Sequence, residues 1–305
     1  GNSRSQGDNT NYHNFQNSRY VTTVAATNSH GETSSFSTPG SSILVSAFGE
    51  DVYTTCLNCA GPNDPNGYGN FSGTSAAAPV VSGVIALMLE ANKKLGYRDV
   101  QNILAYSARQ EISEGFKFNG ANNWNGGGLH ISHDQGFGLV DAHAAVRLAE
   151  SWNRPAQVAA NEQMVVRRLN NSGAIPDNDT SGISFSTSIE RDLDVEWAEV
   201  ELDIRHERIA DLVVEIVSPS GTVSRLIDRP TTAPSNPEGI YGPYSGMPDR
   251  IIYTTSSSLF RGESSLGNWT LRVSDQNAEI SGELRQWGLK LYGQEANNDD
   301  IYIFT

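Results

Sequence analysis

The stretch GTSAAAPVV, residues 73–81, places a serine between a threonine and three alanines, and an apolar run follows. The segment from Ser75 to Asn92 is typical of a buried helix that begins at this serine. We expect Pro79 in its first turn, where a missing N–H is tolerated. The Ser75 hydroxyl can cap the helix. The free N–H groups at a helix start also stabilise developing negative charge, which acyl transfer creates. Helix cap and nucleophile therefore both remain possible roles for Ser75.

Strand-like and helix-like segments alternate through the first half of the chain. The short apolar runs Tyr20–Thr27 and Ser42–Gly49 predict buried strands of a parallel sheet. Residues 97–109 and 138–152 predict further helices, and Asp141 near the start of the last one suits the helix dipole. This alternation predicts an α/β layer architecture.

The second half changes to a period of two. In VEWAEVELDIRH, Val200, Leu202 and Ile204 alternate with acidic residues, and residues 212–227 read as two strands joined at 218–221. Such alternation with turn punctuation predicts antiparallel sheet, buried on one face. We therefore divide the chain into an α/β part (1–155), an all-β barrel or jelly roll (156–293) and a linker or tail (294–305).

Composition excludes several classes of partner. The 305 residues include 21 basic and 35 acidic side chains, a formal net charge of −14, and the basic residues form no cluster. Nucleic acid and anionic membranes are therefore poor candidate partners. No apolar run approaches 18 residues, so no transmembrane helix is expected.

The two cysteines, Cys56 and Cys59, have C-x-x-C spacing. A zinc site needs further ligands that the sequence does not offer, and the residues that follow read as a loop rather than a redox-active helix. A local disulfide and two plain thiols both remain open.

Longer motifs resemble a known family. GTSAAAP resembles the nucleophile motif of subtilisin-like serine proteases, and residues 73–101 resemble the kexin/furin branch of that family. The segment HDQGFGLVDAHAAVRLAESW resembles the end of the same catalytic domain. LVVEIVSPSGTVSRL, GNWTLRVSD and LRQWGLKLYG resemble the P domain that follows it. The resemblance implies the C-terminal part of a subtilisin-like parallel-sheet domain followed by a jelly-roll P domain, which would cover a hydrophobic face of the catalytic domain.

The same resemblance assigns roles to two residues. Ser75 would be the nucleophile, and Asn2, in a Gly-Asn pair, would be the oxyanion-hole donor. The catalytic Asp and His precede that asparagine in the family, so we expect them upstream of Gly1. None of the six histidines has the surroundings of the catalytic one. The implied function is a serine endopeptidase acting through an acyl-enzyme, and this fragment alone is expected to be inactive.

The resemblance also locates a substrate pocket that has changed. In NYHNFQNS, His13 stands where kexin and furin have an aspartate that reads a basic side chain, so a dibasic preference is in doubt. Asp8 fits one calcium ligand of the relatives, but Thr38 stands in place of a glutamate. Calcium is expected elsewhere in the full-length protein at sites we do not place, with no organic cofactor. Four acidic residues of the β part could bind calcium at turns, although solvated turn carboxylates are favoured: Asp203, Asp211, Asp249 and Asp275.

Two alternatives to a peptidase remain. One is a non-catalytic subtilase-like module that binds protein or a surface. The other is a carbohydrate-binding β module, with Tyr241, Tyr244 and Tyr253 as candidate aromatics. For the peptidase, the partners would be a protein or peptide substrate and the P domain packed on the catalytic domain. The acidic tail, the changed pocket and a missing disulfide of the relatives favour a secreted, bacterial protein.

Overall fold

The structure is a computed structural model that describes residues 1–56, 67–111, 115–121, 127–230 and 250–296. The α/β part contains two parallel strands at its centre, two short hairpins and three helices. In chain order these are β1 (Thr23–Thr27), β2 (Ile43–Phe48), β3 (Val52–Thr55), β4 (Tyr68–Phe71), α1 (Thr74–Ala91), α2 (Tyr97–Ser107), β5 (Lys117–Phe118), β6 (His130–Ile131) and α3 (Ala142–Ser151). Each predicted strand and helix of this part is present, and its ends differ from the predicted ones by at most four residues.

The helices pack on β1 and β2 around one apolar core. Val45, Ala77, Val81 and Leu104 are buried in it, as is Phe137 from the turn before α3. The Asp141 side chain caps α3, because its Oδ1 accepts a hydrogen bond from the Ala144 N–H at 2.9 Å. The parallel sheet places the end of β2 beside the start of α1, which is where Ser75 lies.

The start of α1 differs from the prediction. The helix begins at Thr74 and its N-cap residue is Gly73, so Ser75 is inside the first turn and does not cap it. Pro79 is the sixth helical residue and lies in the second turn rather than the first. Because proline has no N–H, the carbonyl of Ser75 lacks the helical donor that would otherwise follow it. The capping interpretation of Ser75 is therefore wrong.

One described helix is long and apolar enough to cross a membrane, judged by length and composition. It is α1, with 18 residues, a mean hydropathy of 1.5 and 28% of the window buried. A core helix of a soluble protein passes the same test, and α1 packs against β1, β2 and α3. The expectation that the protein has no membrane span stays a prediction.

The second half is a sandwich of two antiparallel sheets. Its strands are β7 (Gln163–Leu169), β8 (Gly173–Ile175), β9 (Ile183–Ile189), β10 (Leu193–Arg205), β11 (Leu212–Val217), β12 (Val223–Asp228), β13 (Arg250–Ser257), β14 (Gly267–Asp275) and β15 (Gly282–Glu295). One sheet has the order β13-β10-β15-β7 with β8 also on β15, and the other has the order β12-β11-β14-β9. β15 continues to Glu295, two residues into the predicted tail. The domain limits otherwise stay predictions.

The predicted alternation decides which side chains fill the sandwich. Val200, Leu202 and Ile204 of β10 are at most 2% exposed. They pack with Trp269 and Leu271 of β14, which belongs to the other sheet, in a second core. One face of each sheet is therefore buried in the sandwich, as a period of two requires.

A largely polar seam joins the sandwich to the α/β part. Leu259 enters the α/β core, but the residues before it, Thr255–Ser258, are fully buried hydroxyl side chains. Arg98 of α2 is 2% exposed and donates to both carboxylate oxygens of Glu196 at 2.7 and 2.9 Å. The seam thus combines Leu259 with buried hydroxyl and charged groups, and the expectation that the sandwich covers a hydrophobic face stays a prediction.

Candidate functional site

Ser75 lies at the exposed N-terminus of α1, after the turn that follows β4. The turn is fixed by a hydrogen bond of 2.7 Å from the Gly73 N–H to the Gly49 carbonyl. Gly73 has φ 144°, a conformation that residues with a side chain rarely adopt. The N–H groups of Ala76 and Ala77 donate to the Gly73 carbonyl. The N–H of Ser75 itself, in the first turn, has no acceptor within the helix and lies beside the hydroxyl.

Asn2 lies directly beside Ser75, although the two are far apart in sequence. Its Oδ1 accepts hydrogen bonds from the backbone N–H of Thr74 at 3.0 Å and from the Thr74 hydroxyl at 2.9 Å. A Cβ atom built on Gly73 would lie 3.1 Å from both Asn2 Nδ2 and Ser75 Oγ. The amide donor and the hydroxyl therefore border one small space, which exists because residue 73 has no side chain.

The backbone around Asn2 is held by the segment that precedes β2. The Thr38 N–H donates to the Gly1 carbonyl, and the Ser3 N–H donates to Thr38 Oγ1, both at 2.9 Å. These bonds fix the residues on either side of Asn2. The Asn2 side chain is therefore positioned both by its own backbone and by its hydrogen bonds with Thr74.

His13 is half-exposed and paired with Asp8. Its Nε2 lies 2.9 Å from each carboxylate oxygen of Asp8. The oxygens of Asp8 are thus engaged by an imidazole, and Thr38 Oγ1 is engaged by Ser3. This set offers a divalent cation few free oxygen ligands and does not fit calcium, which prefers six to eight.

The other histidines are structural or exposed. His133 Nε2 accepts a hydrogen bond of 2.8 Å from the Arg225 N–H, and His206 pairs with Asp275 at 3.1 Å. His130 is partly buried, while His30 and His143 are exposed. Throughout the ranges that the structure describes, no hydrogen bond joins a histidine to Ser75.

Comparisons with known proteins identify the families that the two parts of the chain match. Residues 1–138 match the subtilase family, and residues 195–291 match the proprotein convertase P-domain. Proprotein convertase subtilisin/kexin type 6 of Rattus norvegicus is 30% identical over 320 residues, which cover 96% of this chain and 30% of that protein. Kexin of Saccharomyces cerevisiae is 29% identical over 318 residues, covering 100% of this chain and 36% of kexin. The chain belongs to the subtilase family.

The fold of this subtilase agrees with a solved relative. The serine protease of Aeromonas sobria, solved in complex with a chaperone, has a TM-score of 0.72 and 27% identity. The match covers 90% of this chain and 57% of that one. A subtilisin-like part followed by a strand-rich P domain is therefore shown. The subtilase chain spans about a third of the length of the curated relatives it matches.

A second group of titratable residues lies inside the P domain. Ligand atoms of His206, Asp211 and Asp275, all buried, lie within 4.8 Å of one another. His206 Nδ1 accepts from the Arg208 N–H, so Nε2 carries the proton that it donates to Asp275. Arg208 also donates to Asp211 at 2.5 Å. Because protein donors already engage these groups, the set does not fit calcium, and its role is structural.

The acidic residues of the P domain differ from the sequence-based expectation. Asp211 and Asp275 are fully buried rather than solvated, since His206, Arg208 and neighbouring amides satisfy their oxygens. Asp203 forms an ion pair of 2.5 Å with Arg250. Asp249 lies outside the described residues.

The subtilase shows no aromatic platform in the part of the P domain that the structure describes. Tyr253 is partly buried, and its hydroxyl donates to the Asn11 carbonyl at 2.6 Å. Tyr241 and Tyr244 lie outside the described residues. Tyr253 therefore contributes to the seam between the two parts, and nothing favours the carbohydrate-binding alternative.

Cys56 is disulfide-bonded, which removes the two-thiol alternative. Cys59 lies outside the described residues. The bonded cysteine follows β3 of the hairpin that leads back to Ser75.

Sequence reasoning missed Gly73 and Thr74 at this site, and it missed Asn11 in the seam between the two parts. The GTS triplet contains the first two, but only the fold shows that Thr74 orients Asn2 and that Gly73 leaves the space open. Asn11 carries no local signal, because its partners are distant in sequence.

Proposed function

We propose that the chain is the C-terminal part of a serine endopeptidase that forms an acyl-enzyme at Ser75. The observation that carries the proposal is the position of Asn2. Thr74 binds its carbonyl oxygen, so the amide Nδ2 is directed to the space beside Ser75 Oγ. An alcohol beside a preorganised amide donor at a helix N-terminus is the arrangement that acyl transfer needs.

The residues would act in a defined order. Ser75 Oγ forms a bond to the carbonyl carbon of the scissile peptide, and the carbonyl oxygen becomes negative. Asn2 Nδ2 and the Ser75 backbone N–H donate hydrogen bonds to that oxygen. The C–N bond then breaks, and the proton from the serine passes through a general base to the leaving amine. Water attacks the acyl-enzyme and releases the acid.

The general base is not among the described residues that surround Ser75. All six histidines are described, and none bonds to this serine. We infer that the catalytic His and Asp are supplied by sequence N-terminal to Gly1, and that the chain alone does not cleave peptides. An alcohol without its base is a weak nucleophile.

The experiment uses the full-length protein and an unfolded protein substrate. Ser75→Ala is expected to abolish cleavage and labelling by a fluorophosphonate. Asn2→Ala should lower kcat about a hundred- to a thousandfold while KM changes little, the range known for loss of this donor in subtilisin itself. Thr74→Val should lower kcat less, and Thr74→Ser, which keeps the hydroxyl, should stay near wild type. Undiminished cleavage by Ser75→Ala would reject the proposal.

We propose His13 as a substrate-binding residue. His13 pairs with Asp8. The Asp8 carboxylate therefore offers a basic substrate side chain at most one negative charge, and the imidazole already contacts both of its oxygens. A strong preference for paired basic residues is therefore not expected. Cleavage of a peptide panel that varies Arg, Lys and apolar residues before the scissile bond tests this, and strict dependence on a basic pair would contradict it.

We also propose a secreted protein, on a bacterial exterior. The disulfide at Cys56 supports an oxidising compartment, and the likeness to the Aeromonas sobria protease supports the bacterial origin. Calcium binding by the full-length protein is a further proposal; loss of thermal stability in a chelator tests it. If Ser75→Ala left the biological activity intact, the non-catalytic binding module would become the better interpretation.

A further inference from the structure

The segment that carries Asn2 is attached at its far end to the P domain. We call residues 1–18 the Asn2 segment; it also contains Asp8 and His13. Asn11 in this segment is fully buried. Its Nδ2 lies 2.9 Å from both Thr255 Oγ1 and the Ser256 carbonyl of β13. Its own carbonyl accepts the hydrogen bond from Tyr253.

A second asparagine repeats this attachment. Asn17 Nδ2 donates to the Thr254 carbonyl at 2.7 Å. In return, the Ser256 hydroxyl donates to Asn17 Oδ1 at 2.7 Å. The Asn2 segment therefore lies along β13 through side-chain amides on one side and buried hydroxyls on the other.

Asn11 is also connected back to Asn2. Its Oδ1 accepts a hydrogen bond from the Ser42 N–H at 3.2 Å, and the neighbouring Thr10 N–H donates to the Pro39 carbonyl at 2.8 Å. Thr38, one residue earlier, binds Gly1 and Ser3 on either side of Asn2. Residues 38–42 are thus held between Asn11 and Asn2.

The Asn2 segment has little regular structure of its own. Within it the structure shows only two single-turn 3-10 helices, Arg4–Gln6 and Thr10–Tyr12. Its position therefore depends on contacts with other parts of the molecule. β13 is a fixed reference, because it pairs with β10 over eight residues from Ala198 to Arg205.

We propose that Asn11 and Tyr253 are positioning residues for catalysis: β13 of the P domain sets the place of Asn2 through Asn11. The inference rests on the proposed peptidase function and adds that the P domain controls the oxyanion donor. Misplacing a catalytic group by about 1 Å from a distance can lower a rate about a hundredfold. Loosening Asn11 should therefore act on the transition state.

The experiment compares two matched pairs in the full-length protein. Asn11→Ala is paired with Asn119→Ala. Asn119 is also buried, and it donates to the P-domain carbonyls of Leu259 and Arg261. It does not belong to the Asn2 segment, so it serves as the control. Tyr253→Phe is paired with Tyr292→Phe, whose hydroxyl binds Glu199 within the P domain at 2.9 Å. We expect kcat per active site to fall about ten- to a hundredfold in Asn11→Ala and about threefold in Tyr253→Phe, where one hydrogen bond is lost.

KM should change less than about twofold in these variants, because a transition-state interaction is affected. The two controls should lower thermal stability without changing kcat. Hydrogen–deuterium exchange supplies a measurement independent of activity: peptides covering residues 1–8 should exchange faster in Asn11→Ala than in Asn119→Ala. Equal kcat values and equal exchange in the matched pairs would overturn the inference. If the wild type has no peptidase activity, the exchange comparison alone decides.

Discussion

Replacing Arg98 by methionine tests the buried seam. Arg98 is 2% exposed and Glu196 is 6% exposed. The guanidinium donates to both Glu196 oxygens and, at 2.9 Å, to the Gly293 carbonyl. Methionine keeps the packing of the stem but leaves the Glu196 carboxylate with Asn102 at 3.2 Å. Breaking a buried ion pair on one side costs about 3–5 kcal/mol.

The assay is equilibrium unfolding in urea, followed by tryptophan fluorescence and checked by calorimetry. A loss of that size corresponds to a fall in Tm of roughly 6–20 °C for parts of about 150 residues or more. Arg147→Met is the control, since Arg147 pairs with Glu150 on the exposed face of α3, where an ion pair contributes about 0–1 kcal/mol. The double variant Arg98→Met/Glu196→Gln should recover part of the loss, because no uncompensated charge is buried. A loss below about 1 kcal/mol, or no recovery in the double variant, would refute the reasoning.

Two further predictions concern stability. Burial lowers the pKa of His133 to about 4, below the unfolded value near 6.5. The folded protein therefore favours the neutral ring. Its contribution to the free energy of unfolding is complete above pH 6.5 and is lost as the pH falls towards 4. Thermal melts between pH 7 and 4.5 should therefore show a smaller decline in His133→Gln than in wild type or His30→Gln; parallel curves would contradict it. Gly96→Ala should destabilise by about 1–3 kcal/mol, because its Cβ would lie 2.0 Å from the Gln157 carbonyl oxygen. Gly83→Ala, whose Cβ meets nothing within 4 Å, should stabilise α1 by about 0.5–1 kcal/mol; urea unfolding with the opposite ranking would reject this.

The sequence by itself was enough for the architecture. Hydrophobic periods are local, so the change from α/β alternation to a period of two at mid-chain predicted both parts, and the buried rows of β10 and β14 follow directly from it. The GTSAAAP motif also drew attention to Ser75, but its local chemistry left helix cap and nucleophile both open, and only the family resemblance favoured the nucleophile.

Only the tertiary structure decided what surrounds that serine. The N-cap is Gly73, and Asn2 lies beside Ser75 because Thr74 binds its side chain and Thr38 binds the residues on either side of it. Burial of Asp211 and Asp275 depends on strands that meet from separate regions. The contact of Asn11 with β13 joins residues 244 positions apart. A sequence shows the period of each element, but hydrogen bonds between distant residues form only when the elements have packed. The seam and the position of Asn2 therefore depend on the fold.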